Sequence, residues 1–87
     1  MRSFFINILE LKKKFEQKGV NPHIYSFKDD YLHDCYCMLK DDIGWEVFSR
    51  VRGRKIEIRW FELESEACEY LEYLVFSDQI NNQGQSE

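Results

Sequence analysis

An α+β fold, a two-layer sandwich with an antiparallel sheet, is predicted for this chain by three observations. From Trp45 to Trp60 the sequence W-E-V-F-S-R-V-R-G-R-K-I-E-I-R-W alternates on both sides of a Gly-containing turn, which is the pattern of a β-hairpin. Apolar residues recur at helical spacing near each end of the chain. Short turn-forming runs, Lys28-Asp29-Asp30 and Asp41-Asp42-Ile43-Gly44, separate the segments between. The expected order is α-β-β-β-α, with three to four antiparallel strands between an N-terminal and a C-terminal helix. Its 87 residues make one domain, expected over 1–76, followed by a disordered tail over 77–87.

The first helix is expected to start at an N-cap, Ser3, and to run to about Lys18. Phe4, Ile8, Leu11 and Phe15 form its apolar stripe, widened by Phe5 and Leu9, and Lys12, Lys13 and Lys14 lie on a solvated face. Gly19 is placed to end the helix and Pro22 to prevent its resumption. Tyr25 and Phe27 alternate as an edge segment does. Cys35 to Leu39 is a short strand, and the hairpin turns around Arg52-Gly53-Arg54. The last helix opens at Glu64 or Ser65, with Ala67, Tyr70, Leu71, Leu74 and Val75 as its apolar stripe; acids crowd its start, where they suit the helix dipole.

Strict alternation assigns Trp45, Val47, Ile56, Ile58 and Trp60 to the face beneath the helices. It leaves Tyr36, Met38, Glu46, Phe48, Arg50, Glu57, Arg59 and Phe61 on the other face. On that assignment Trp60 is a core residue whose truncation costs ~3–5 kcal/mol, and an aromatic patch is left open unless residues 20–30 or the first helix cover it.

The formal charge is −4, and its distribution matters more than its sum. From Phe61 onward there are seven acids and no Lys or Arg; Asp29 to Glu46 holds six acids against one Lys. The bases gather at Lys12 to Lys14 and around the hairpin, at Arg50, Arg52, Arg54, Lys55 and Arg59. Such an acidic surface argues against a general nucleic-acid binder and favours a basic partner. Double-stranded-RNA-binding domains share the element order, but the start of the last helix here reads E-L-E-S-E-A-C-E, which repels phosphate. Three cysteines, two of them i and i+2 on one strand, read as reduced thiols. Asn7 and Glu10 interrupt the apolar start, and no run approaches the ~20 apolar residues of a membrane span, so a cytoplasmic protein is expected. His33-x-Cys35-x-Cys37 lacks the spacing of a zinc site. No nucleophile motif or Gly-rich phosphate loop is present, so neither cofactor, metal nor catalysis is expected.

Several runs together, G-V-N-P-H-I-Y-S-F, C-M-L, G-W-E-V-F, R-G and F-E-L-E-S-E-A-C-E-Y-L, resemble the pattern of small bacterial immunity proteins of polymorphic toxin systems, including contact-dependent growth inhibition and Rhs-type systems. Gly19, Tyr25, Trp45, Glu46, Val47, Gly53, Phe61, Glu66, Ala67, Cys68 and Tyr70 carry the resemblance across Leu11 to Leu74. The chain departs from the pattern at Val51, where Glu is usual, and at Phe48-Ser49, where two aromatics are usual. The resemblance implies an inhibitor, with no catalysis of its own, that binds a cognate toxin, typically a nuclease with a basic cleft. The contacts expected for it are Asp29, Asp30, Asp41, Asp42, Glu46, Glu57, Glu62 and Glu64, surrounding Tyr36 and Phe48 as aromatic anchors. The alternative is a small nucleic-acid-binding regulator using the basic turn Arg50–Lys55 together with Lys12 to Lys14.

Overall fold

The computed structural model describes residues 6–29 and 33–85, with side chains through Asp78. The elements are α1 (Ile8–Gln17), β1 (Tyr25–Ser26), β2 (Cys35–Lys40), β3 (Trp45–Val51), β4 (Arg54–Phe61) and α2 (Glu64–Gln85). They form an α+β fold with one four-stranded sheet in the order β1-β2-β3-β4. β2, β3 and β4 pair antiparallel, but β1 runs parallel to β2, so the sheet is mixed where an antiparallel one was expected. The reason is the entry of the chain: Ile24 accepts from Tyr36 N–H at 2.8 Å and sets β1 alongside β2 without a hairpin.

The first helix starts four residues or more after the expected Ser3, which lies outside the described residues together with Phe4 and Phe5. Asn7, expected only to interrupt the apolar run, is the cap: its Oδ1 accepts from Glu10 N–H at 2.9 Å, and N-I-L-E has capping-box spacing. The Ile8 N–H donates to Glu64 Oε2 at 2.9 Å, so a carboxylate at the start of α2 also caps α1. At the other end Val20 N–H reaches Phe15 O at 2.9 Å and Gly19 N–H reaches Glu16 O at 3.1 Å, a Schellman closure that needs the left-handed backbone of Gly19 (φ 72°). The apolar stripe is narrower than expected. Leu11 and Phe15 are buried, while Leu9 is exposed.

Both helices cover one face of the sheet. Leu11 and Phe15 from α1, Val20, Met38 from β2, Val47 from β3, and Ala67, Cys68, Leu71 and Val75 from α2 form the main core. The Phe15 ring lies 4.5 Å from Tyr25 and 5.6 Å from Phe76, and Lys14 pairs with Glu72 at 2.7 Å across the two helices. Burial pushes the Cys68 thiol up to about 12, helped by the nearby Glu64, Glu72, Glu10 and Glu69 carboxylates. Stability tied to this thiol is complete below the ordinary cysteine range and falls as pH rises from there toward about 12. At about pH 8, alkylation of Cys68 in the folded protein is expected to be at least about a hundredfold slower than in urea. Mass spectrometry of the Cys68 peptide reads this; equal rates in the two states would contradict the burial.

One residue of β4 rearranges the expected faces. Val51 pairs with Arg54 across the two-residue turn Arg52-Gly53, whose φ values of 52° and 79° match the twist of a tight hairpin. Ser49 pairs with Ile56, yet Val47 pairs with Arg59, so β4 carries one extra residue between them, with Glu57 at φ 54°. That bulge shifts the alternation by one. Arg59 and Phe61 therefore lie on the helix side, opposite Val47 and Trp45, and Trp60 lies opposite Glu46 on the other face. Ile58 follows Trp60. On β2 the faces are likewise reversed: Met38 lies opposite Val47 beneath the helices with Tyr36, while Cys37 lies opposite Phe48.

Trp60 is thus no core residue; it is 57% exposed. Trp60→Ala is expected to lower stability by less than about 1 kcal/mol, measured by urea denaturation, in place of the larger cost that the alternation suggests. The backbone of α2 continues to Gln85, across the segment from Ser77 that the sequence pattern leaves as a tail. Extending a formed helix costs little per residue, so weak apolar patterning does not end it.

Candidate functional site

Most of the expected partner contacts are held within the fold. Phe48 is fully buried, although it faces away from the helices. Its ring is flanked by two cations, the Arg50 guanidinium at 5.1 Å and the Lys55 ammonium at 4.8 Å. Each cation holds an acid: Arg50 pairs with Asp29, and Lys55 with Glu46 at 3.0 Å. Arg50 is 3% exposed and also donates to Gly53 O at 3.1 Å. Asp29, Glu46 and Phe48 therefore belong to an ionic cover over the second face, with Cys35, Cys37 and Leu39 beneath it. The Cys35 and Cys37 sulfurs lie 3.6 Å apart, buried and reduced.

Tyr36 is half-buried on the helix side, where burial raises its hydroxyl pKa, with Asp78 and Glu57 adding to the shift. Tyr36 and Glu57 line a cavity of about 280 Å³ with Ser49, Ile56 and Asp78. Glu64 caps α1. Asp30 lies outside the described residues. Asp41 organises its own turn: Oδ1 accepts from Ile43 N–H at 2.9 Å and Gly44 N–H at 2.8 Å. These amides lower its pKa, so its contribution to the turn is present above the ordinary carboxylate range and is lost as pH falls through the lowered value.

The remaining acids gather at one end of the molecule. The turn after β2 packs on the end of β4, because Gly44 brings its backbone against Phe61 and Glu62. Asp41 Oδ2 accepts from Trp60 Nε1 at 3.1 Å. This places Asp41, Asp42 and the 86%-exposed Ile43 beside Trp60. Next to them a groove of about 620 Å³ runs between β4 and α2, lined by Trp60, Phe61, Glu62, Glu66, Glu69, Tyr70 and Tyr73. Phe61 and Tyr70 rings are 5.5 Å apart, Tyr70 and Tyr73 stack at 6.4 Å, and Tyr73 is 65% exposed. The Arg59 guanidinium lies 5.3 Å from the Tyr70 centroid, delivered there by the bulge. Among the described residues Glu62, Glu66 and Glu69 form no ion pair.

The structure thus brings Asp41, Asp42 and Glu62 together, and adds Trp60, Glu66 and Glu69, to which the sequence assigned other roles, and Tyr73, to which it assigned none. Glu66, Glu69, Tyr70 and Tyr73 follow i, i+3, i+4, i+7 spacing, a helical stripe that marks one face. Glu66 and Glu69 were expected to suit the helix dipole and to add to the acidic surface, without being named as contacts. Among the described residues no group of three or more His, Cys, Asp or Glu is placed to hold a metal ion, and no helix is long and apolar enough to cross a membrane.

No family model matches the chain. No curated protein and no solved structure matches it either. The functional reading therefore rests on the residues themselves.

Proposed function

We propose that this chain is an immunity protein that binds and neutralises a cognate toxin domain, a basic nuclease of a contact-dependent growth inhibition or related polymorphic toxin system. It acts in the cytoplasm by binding alone, without a cofactor or catalysis of its own. The observation that carries this reading is the acidic end around Trp60. Exposed aromatic rings there sit beside Glu62, Glu66 and Glu69, which form no ion pair among the described residues, the composition that anchors an interface against a basic surface. The sequence resemblance supports the same class of partner. Growth rescue tests it: co-expression with the toxic domain encoded beside this gene is expected to restore growth, and continued killing with both proteins present at equal levels contradicts it.

The alternative, nucleic-acid binding through the basic turn, has less to draw on. Arg50 is buried against Asp29, and Lys55 is held by Glu46. Asp34 approaches the same turn, accepting from Arg52 N–H at 2.9 Å. Arg52 and Arg54 remain, too few phosphate contacts for tight binding at ~0.15 M salt.

A further inference from the structure

We infer that the groove between β4 and α2 takes arginine side chains of a protein partner, stacked on Tyr73, with Trp60 at the rim on the edge strand, and paired with Glu62, Glu66 and Glu69. This rests on the inhibitor reading above for the identity of the partner, but the chemistry of the groove stands on its own geometry.

Trp60 and Tyr73 together present two large apolar rings to solvent, at 57% and 65% exposure. Covering an indole ordinarily requires a partner for its N–H, and here Asp41 already accepts that hydrogen bond. The ring can therefore be buried without stranding a donor. The three carboxylates beside it carry negative charge with no ion pair among the described residues. An apolar occupant would strip water from them without compensation, and an acidic one would be repelled. A cation is the occupant that satisfies rings and carboxylates together.

The choice of arginine over lysine follows from the shape of the site. A guanidinium is planar, stacks on aromatic faces and offers paired donors to carboxylates, whereas an ammonium is a compact, strongly hydrated point charge. The protein already uses this contact once: its own Arg59 lies 5.3 Å from the centre of Tyr70, the ring that stacks on Tyr73. A partner guanidinium on Tyr73 repeats that arrangement one ring further out. The groove is an open trough of about 620 Å³, which suits side chains projecting from a loop or an extended segment.

The test has two arms, both on the full chain. In the first, nona-arginine and nona-lysine peptides are titrated by calorimetry at ~50 mM and ~0.15 M salt. Nona-arginine is expected to bind several-fold tighter, and Glu69→Lys and Trp60→Ala each to weaken it about tenfold, while Glu16→Lys, the same charge change on the exposed side of α1, alters it less than about twofold. Equal affinity for the two peptides, or equal loss from Glu69→Lys and Glu16→Lys, overturns the proposal. In the second, the same variants are titrated with the toxin domain, where Trp60→Ala and Glu69→Lys are expected to raise Kd about tenfold or more. If wild type binds the toxin and these variants bind it equally well, the groove proposal fails while the inhibitor reading stands. If wild type ignores the toxin but the peptide results hold, the inhibitor reading fails and the groove stands. Sedimentation supplies a further outcome: a salt-sensitive dimer abolished by Glu69→Lys would assign the groove to the basic hairpin of a second copy and overturn the assignment to a different protein.

Discussion

Phe48→Ala is expected to destabilise the domain by about 3–5 kcal/mol, the usual cost of removing a fully buried phenylalanine. For a domain of this size that lowers Tm by at least about 12 °C. The ring is the centre of a second apolar layer, packed with Cys35, Cys37 and Leu39 and flanked by Arg50 and Lys55. Truncation removes more than its apolar area. It also takes away the surface on which the two cations rest, leaving Arg50, which is nearly inaccessible to solvent, beside a cavity. Thermal denaturation of Phe48→Ala alongside Trp60→Ala separates this account from simple alternation: the first is expected to fall steeply, the second to stay close to wild type. The opposite ranking would mean that the faces of β4 are misassigned.

Gly44→Ala is expected to cost about 1–3 kcal/mol through crowding. A Cβ at this position would lie 2.4 Å from Phe61 O and 3.3 Å from Glu62 Cα, both backbone atoms that cannot swing aside. The turn must withdraw from β4, which strains the Asp41–Gly44 backbone hydrogen bond of 2.9 Å and the contact from Trp60 Nε1 to Asp41. The substitution is therefore expected to lower the urea midpoint and to shift the Trp60 indole N–H resonance. Unchanged stability would show that the turn does not pack on β4 as closely as described.

The element order and most of the helix-side core were legible in the sequence, because period and turn residues are local signals. Leu11, Phe15, Val47, Ala67, Leu71 and Val75 follow directly from spacing. What the pattern hides is a change of phase. I-E-I-R-W alternates perfectly, and nothing local to it announces that Glu57 adopts a left-handed backbone and adds a residue opposite β3. That one residue sends Trp60 outward and Arg59 inward, and so moves the aromatic end of the candidate site to the other side of β4. The burial of Phe48 is equally non-local: it depends on Asp29, distant in sequence, meeting Arg50. The cap at Asn7 was readable, since N-I-L-E carries the spacing of a capping box, but the apolar residues before it suggested an earlier start.

The central claim is that the chain is an inhibitor whose acidic end engages a basic toxin domain. Its most direct test starts from the proposed partner, a toxic nuclease domain encoded next to the gene: the purified chain is titrated into it by calorimetry at ~0.15 M salt, with nuclease activity followed in the same samples. The account predicts a complex with Kd of about 10 nM or tighter and loss of nuclease activity as the complex saturates. Absence of heat, with the nuclease fully active in excess of this chain, would contradict it.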